Sequence, residues 1–234
     1  MSRLSIVIPA LDEAENLARL LPELARQCPD AEIVVVDGGS RDASAAVVAG
    51  RPGVHRLTSE RGRAHQMNAG ARAAAGEVLL FLHADTRLPE GAAGAIASAL
   101  AASSVAGGRF DVRFDRQGAI FRVIAWFMNA RSRATGICTG DQAIFVRRAV
   151  FDAVGGYPDI PLMEDVELSR RLKRRGGLAA LRLRVTTSAR KWEREGPLRT
   201  VALMWALRFL HACGVAPERL HRWYYGAPKE THHR

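Results

Sequence analysis

Only three cysteines occur in 234 residues, Cys28, Cys138 and Cys213, and no two of them form a Cys-x-x-Cys pair. That scarcity argues against a disulfide framework or a structural zinc site and fits a reducing compartment. Long apolar runs are lacking as well. Met1 to Ile8 holds too short an apolar stretch for the core of a signal peptide, so a cytoplasmic protein is expected. The late stretch from Leu198 to Cys213 is interrupted by Arg199, Arg208 and His211, which makes it too short and too charged to span a bilayer. Acidic residues are in deficit: 24 Asp and Glu stand against 34 Lys and Arg, a formal charge of +10. The surplus is almost wholly arginine, which favours bidentate contacts with phosphate; an anionic ligand, nucleic acid, an acidic membrane surface and plain solvated charge all remain open. Two glycine signatures are also absent. No Gly-x-Gly-x-x-Gly follows the first apolar run and no Gly-x-x-x-x-Gly-Lys-Ser/Thr occurs, which disfavours a dehydrogenase and a phosphate-loop NTPase.

What is present is a composition 48% hydrophobic, enough for one sizeable core with a tail. Leu4 to Pro9 reads as a buried strand, followed by Asp12-Glu13 and leucines at 17, 20, 21 and 24, the spacing of a capped amphipathic helix in which Pro22 marks a kink or an earlier break. Glu32 to Val36 is a second buried strand ending at Asp37-Gly38-Gly39-Ser40. Ser40 or Asp42 is placed to cap a short helix through Val48, and Val54 to Thr58 reads as a third strand. Arg61-Gly62-Arg63 opens a helix over Ala64 to Ala75, where a small residue at Gly70 permits close packing on the sheet and Asn68 is a candidate ligand contact. From Val78 an apolar strand runs into His83-Ala84-Asp85 and a new helix. This strand-and-helix alternation predicts a doubly wound α/β half over residues 1 to 102, with the look of a nucleotide binder.

Asp37 and Asp85 then share one placement, a carboxylate where a core strand stops, which in open α/β sheets is the ligand edge. Read alone, each is equally a turn or cap residue.

The remainder, residues 103 to 192, is more mixed and more basic. Val105 to Phe114 reads as a strand, Gly118 to Arg133 as a helix, and Thr139-Gly140-Asp141-Gln142 introduces a strand from Ala143 to Val146. Val150 to Val154 is a short helix stopped by Gly155-Gly156-Tyr157-Pro158. Glu164-Asp165 opens a further helix that closes on Arg170, Arg171, Lys173, Arg174 and Arg175, acid first and base last as the macrodipole favours. Residues 193 to 234 read as a helical tail; from Arg190 onward nine Lys and Arg face four Asp and Glu, interleaved with Trp223, Tyr224 and Tyr225. Such a segment suits a bilayer surface, or packs on the domain or on a second subunit.

Six short pieces, in order, resemble the family 2 glycosyltransferases, inverting enzymes of the GT-A fold, over about Leu4 to Trp192. They are Ser5 to Ala10 with Asp12-Glu13; Val34 to Ser40; Arg63 with Asn68 and Gly70; Phe81 to Asp85; Gly140-Asp141-Gln142; and Glu164-Asp165. The resemblance is to a small, bacterial-type, non-processive member, because the Gln-x-x-Arg-Trp signature of processive members survives only as a faint echo in Arg190-Lys191-Trp192. It implies a mostly parallel sheet with a nucleotide-binding N-terminal half and an acceptor-binding C-terminal half. It implies a UDP- or GDP-type sugar held by Pro9, Ala10, Asp12, Glu13, Asp37, Gly38, Arg63, Asn68, Ala84 and Asp85. Asp85 would bind Mg²⁺ or Mn²⁺, since it stands at the last position of the family's Asp-x-Asp element, whose first acid is here His83. Gly140, Asp141, Gln142 and Glu164 would line the side of a hydroxyl acceptor, lipid-linked in many such enzymes, and Asp165 would be the general base, kept ionised by its helix N-terminus. Peripheral contact with the inner face of the membrane through the tail is expected on the same ground.

Two other classes compete. A nucleotidyltransferase of related fold would need a glycine-rich basic loop after the first strand, where Pro9-Ala10-Leu11-Asp12 stands instead. A non-catalytic nucleotide- or nucleic-acid-binding protein would explain the charge, but Asp12, Glu13, Asp37, Asp85 and Asp165 would repel a phosphate backbone, so no nucleic-acid partner is expected.

Overall fold

A computed structural model describes residues 3–225. In chain order its elements are β1 (Leu4–Ala10), α1 (Ala14–Gln27), β2 (Glu32–Asp37), α2 (Ser44–Val48), β3 (Val54–Thr58), α3 (Arg63–Ala73), β4 (Val78–Phe81), β5 (Thr86–Arg87), α4 (Ala92–Ala99), β6 (Val105–Phe114), α5 (Ala119–Thr135), β7 (Ile144–Arg147), α6 (Arg148–Ala153), α7 (Glu164–Lys173), β8 (Gly177–Thr187), α8 (Arg190–Glu195), α9 (Pro197–Ala212) and α10 (Pro217–Tyr225). A short 3-10 turn, Gly140–Gln142, precedes β7. The tail expected to run to residue 234 lies beyond the described residues after Tyr225, and α8 crosses the boundary expected at residue 192.

The strands form one sheet in the order β3-β2-β1-β4-β7-β6-β8-β5. Four of the seven pairings are parallel, and β7 enters antiparallel between β4 and β6. Strand residues alternate between two cores. Ile6, Ile8, Ile33, Val35 and Leu80 pack under α1, α4 and α5, while Val7, Val34, Val36, Leu79 and Phe81 pack under α3, α6 and α7. Helices on both faces are the reason these strands read as unbroken apolar runs.

Local expectations fare unevenly. α1 runs straight through Pro22, because burying Leu17, Leu20, Leu21 and Leu24 at roughly 1.5–3 kcal/mol each outweighs one lost backbone bond. Of the two capping candidates, Asp42 accepts the amide of Ser44, the first residue of α2, although the residue next to the helix is Ala43; Ser40 Oγ instead accepts from the Asp12 amide, and the second Asp42 oxygen accepts from Ala14, which laces this loop to the start of α1. Gly70 performs as expected: a Cβ there would lie 2.3 Å from Val7 Cγ1. The strand β8 has no counterpart among the elements read from the sequence. Leu181-Arg182-Leu183-Arg184-Val185 alternates apolar and charged residues as a strand does, but its middle is exposed and its partners β6 and β5 lie far away in the chain.

Topology gathers the candidate residues. β1, β2 and β4 are parallel, so the segments after Ala10, Asp37 and Phe81 share one edge. Because β7 pairs antiparallel with β4, with Ile144 opposite Phe81, the turn before β7 reaches that same edge. β8 runs parallel to β6, and α7, leading back to the start of β8, begins there too.

Candidate active site

Asp37 is buried at the end of β2. Its Oδ1 accepts the amides of Gly39 (3.1 Å) and Ser40 (2.8 Å), while Oδ2 faces Arg56 at 3.9 Å. The β1 loop lies beside it. Asp12, at φ +55°, accepts the Arg41 amide at 2.7 Å, and the Glu13 amide donates to Ser44 Oγ at 2.8 Å. Glu13 has its carboxyl raised by burial and by nearby Asp85, against a hydrogen bond from Asn16 and the charge of Arg190. One residue missing from the sequence reading holds this corner together. Buried Gln66 of α3 donates from Nε2 to the carbonyls of both Ala10 (2.8 Å) and Val36 (2.9 Å), under Gly38. Nothing in its sequence context distinguishes it from any polar helix residue.

Beyond β4, buried Ala84 separates His83 from Asp85. Burial raises the Asp85 carboxyl and Asp141 adds to this, with His83, Arg63 and Thr86 opposing. The His83 ring makes no hydrogen bond to backbone among the described residues. Its Nδ1 faces Asp141 Oδ1 at 3.5 Å, and its ring lies so close over Gly140 that a Cβ there would sit 2.5 Å from Nε2. That Nε2 is buried without a hydrogen-bond partner among the described residues. Burial alone would raise Asp141, but His83, Arg63 and Lys191 together hold it below its ordinary value.

Glu164 and Asp165 open α7 behind Met163, whose φ is +68°. Asp165 Oδ2 accepts the Gly140 amide at 3.0 Å and Oδ1 its neighbour Val166's at 2.7 Å. Those two amide bonds favour the ionised form, as a helix N-terminus should, but burial outweighs them and raises Asp165, and burial next to Asp165 pushes Glu164 up to about 7. Arg63 stands at the N-terminus of α3 among these groups; desolvation works against its charge, but Tyr225, Glu164, Asp141 and Asp165 raise its pKa overall. The three non-glycine residues with positive φ among those described are Asp12, Ala143 and Met163, each beside a candidate site segment, as strained backbone often is at functional sites.

Two candidates serve the frame instead of presenting free groups. Asn68 commits its amide to Tyr157, donating to its carbonyl (2.8 Å) and accepting from its amide (2.9 Å), which ties α3 to the loop after α6. Gln142 is wholly buried and closes the turn by accepting from the Thr139 amide and hydroxyl at 3.3 Å each. Asn68 thus satisfies backbone groups, while Gln142 satisfies one backbone amide and two side chains, its Nε2 donating to Asn129 Oδ1 at 3.4 Å. Conversely, Arg131 of α5 went unnoticed in the sequence. Burial pulls its guanidinium down while Asp165 and Asp141 act on it, and its Nε lacks a partner among the described residues.

The family model described as glycosyl transferase family 2 matches residues 5–155, spanning the loops that carry Asp12, Asp37, Asp85 and Asp141. The chain belongs to glycosyl transferase family 2. A PGL/p-HBAD biosynthesis glycosyltransferase of Mycobacterium tuberculosis is 36% identical over 167 residues, covering 65% of this chain and 62% of that protein. An undecaprenyl-phosphate 4-deoxy-4-formamido-L-arabinose transferase of Pseudomonas fluorescens is 34% identical over 167 residues, covering 64% of this chain and 48% of that one. The chain thus spans about half to two thirds of the length of these curated relatives. Among solved structures, a mannosyltransferase of Pyrobaculum calidifontis in complex with GDP-Man and Mn²⁺ superposes with a TM-score of 0.61 at 23% identity, covering 79% of this chain and 56% of that one, and shares its GT-A fold.

For this glycosyl transferase family 2 chain the metal expectation meets a sparse donor set. No group of three or more His, Cys, Asp or Glu side chains among the described residues is placed to hold an ion. Asp85 is a half-buried carboxylate whose only side-chain hydrogen bond is a long one from Thr86 (3.3 Å). One carboxylate completed by substrate phosphates and water is a usual site for Mg²⁺, so the residues present fit a hard cation that shares its shell with a diphosphate.

Proposed function

We propose that the chain transfers a sugar from a UDP- or GDP-type nucleotide sugar to the hydroxyl of a lipid-linked acceptor, by one inverting displacement at the inner face of a membrane. The observation that carries this reading is that three separate segments are tied together at the edge where Asp37 ends β2: His83, two residues before Asp85, faces Asp141 at 3.5 Å, and the Gly140 amide donates to Asp165 at 3.0 Å, with the charge of Arg63 acting on Asp85, Asp141, Glu164 and Asp165. Pro9, Ala10, Asp12, Glu13, Asp37 and Gly38 line the nucleotide side, and Arg63 faces the phosphates. Asp165 takes the proton of the acceptor hydroxyl as that oxygen bonds to the anomeric carbon and the bond from the carbon to the diphosphate oxygen breaks. The electron pair of that bond leaves with the nucleoside diphosphate, and the configuration inverts. Asp85 would hold Mg²⁺ or Mn²⁺, which supplies Lewis-acid neutralisation of the leaving diphosphate. The Gly140 amide on Asp165 and the His83–Asp141 contact keep base and acceptor loop in register. A lipid-linked acceptor is supported by the undecaprenyl-phosphate relative.

The test is a panel of UDP- and GDP-sugars with Mn²⁺, scored for release of nucleoside diphosphate. One donor should turn over, and Asp165→Asn should lower turnover by at least ~10³-fold while nucleoside diphosphate still binds, as general bases of this kind contribute 10²–10⁴. Turnover unchanged in Asp165→Asn removes it from the mechanism. Stabilisation by nucleotide with no turnover of any donor turns the reading into that of a binding protein.

A further inference from the structure

α5 and α9 pack side by side, and each is apolar on both of its faces. On α5 the inner face buries Phe121, Ile124 and Ala125 in the main core. The opposite face exposes Val123, Trp126 and Phe127, each more than half accessible, with the Trp126 and Phe127 rings in edge contact at 4.8 Å. On α9 the inner face sets Leu203, Leu207 and Leu210 against Leu162, Met163 and Val166, the residues around the Glu164–Asp165 pair. Its outer face exposes Leu198, Trp205 and Phe209, spaced at seven and four residues so that they form one stripe. No described residue covers either stripe. A soluble monomer rarely leaves such a patch open without a use.

The charges beside the stripes select the occupant. Neither helix contains an Asp or Glu, and α9 carries Arg199 and Arg208 on opposite flanks of its stripe while Arg122 borders that of α5. None of these three arginines forms an ion pair among the described residues. Aromatic rings projecting from helices edged only by cations match the headgroup region of an anionic bilayer, where rings enter the acyl boundary and arginines meet lipid phosphates. A second copy of the chain would set arginine against arginine.

We infer that the outward faces of α5 and α9 form a peripheral docking surface for a bilayer carrying anionic lipid. Docking would leave the loop that carries Glu164 and Asp165 behind α9, with that one helix between it and the membrane. The inference extends the tail-centred contact expected from the sequence to α5, an internal helix of the domain, and it draws its purpose from the lipid-linked acceptor proposed above. Its geometry does not depend on turnover, so vesicle binding and nucleotide binding are measured separately.

The experiment is flotation of the full-length chain with vesicles of phosphatidylcholine alone or mixed with phosphatidylglycerol, at low and high salt. Wild type should bind the mixed vesicles at least about tenfold more tightly than neutral ones, and high salt should weaken this binding. The variant W126S/F127S/W205S/F209S and the variant R122Q/R199Q/R208Q should each lose at least about tenfold of that binding. Both should keep the wild-type melting temperature and nucleoside diphosphate affinity, since every altered side chain lies outside the core and the site. Absence of binding by wild type overturns the inference, as does equal binding by folded variants. Self-association that the first variant abolishes, without vesicle binding, also overturns it and assigns the surface to a second copy.

Discussion

Glu164 and Asp165 are two adjacent carboxyls taken out of water together, so their protons are held more tightly than in the unfolded chain. For Glu164 the folded value of about 7 lies above the ordinary 4.5. Between those two values the native state binds the extra proton, so this group's contribution to stability is present at low pH and is lost as pH rises through the window. Glu164→Gln should therefore melt several degrees higher than wild type at pH 7.5 and show little difference at pH 4. Thermal melts at the two pH values check this. At the other side of the loop, His83 lies where a Cβ on Gly140 would be. Gly140→Ala should cost about 1–3 kcal/mol, and a double-mutant cycle with His83→Ala should recover most of it. Independent penalties in that cycle would dissociate the two residues. The sequence marked His83 as a departure from the family pattern, and its steric partner became visible only across the β4–β7 pairing.

The elements divide by how local their causes are. β1, β2 and β4 could be read from their apolar runs, since strands covered on both faces need nothing else. Where long-range bonds decide, the reading faltered. Ser40 accepts from the Asp12 amide and not from α2, and Asn68 serves the Tyr157 backbone. α3 matters most at this scale because Gln66 joins the ends of β1 and β2, where the nucleotide is proposed to sit. Gln66→Ala should destabilise by about 1–3 kcal/mol, as expected when buried carbonyls lose a donor. It should also weaken nucleoside diphosphate binding more than a surface change of equal destabilisation. Denaturant titration and calorimetry read the two effects, and an unaltered affinity would confine Gln66 to a structural role.

Over the whole molecule, the tail bears directly on the site. Leu220 of α10 is fully buried against Leu162, Met163, Val166 and Leu207, and Lys191 Nζ sits 3.7 Å from the centre of the Tyr224 ring. The C-terminal helices thus brace the loop that presents Glu164 and Asp165. Leu220→Ala should cost about 2–5 kcal/mol through the cavity it leaves, and turnover should fall along with the melting temperature. A variant with full turnover would show that α10 packs on the loop without positioning it. No described helix is long and apolar enough to cross a membrane.

By itself the sequence determined the parallel nucleotide-side strands, the placing of Asp37 and Asp85 at their ends, and the family, because apolar runs, turn residues and motif order are local properties of the chain. It also placed Glu164 and Asp165 at a helix start. Tertiary structure decided that these acids feel the charge of Arg63, that burial raises their pKa values, and that Gln142 and Asn68 are taken up by partners within the protein. It alone paired β8 with β6 and β5 and left apolar side chains of α5 and α9 uncovered by any described residue. Burial, desolvation and hydrogen-bond partnership depend on what the rest of the chain brings alongside, which no spacing along the sequence records.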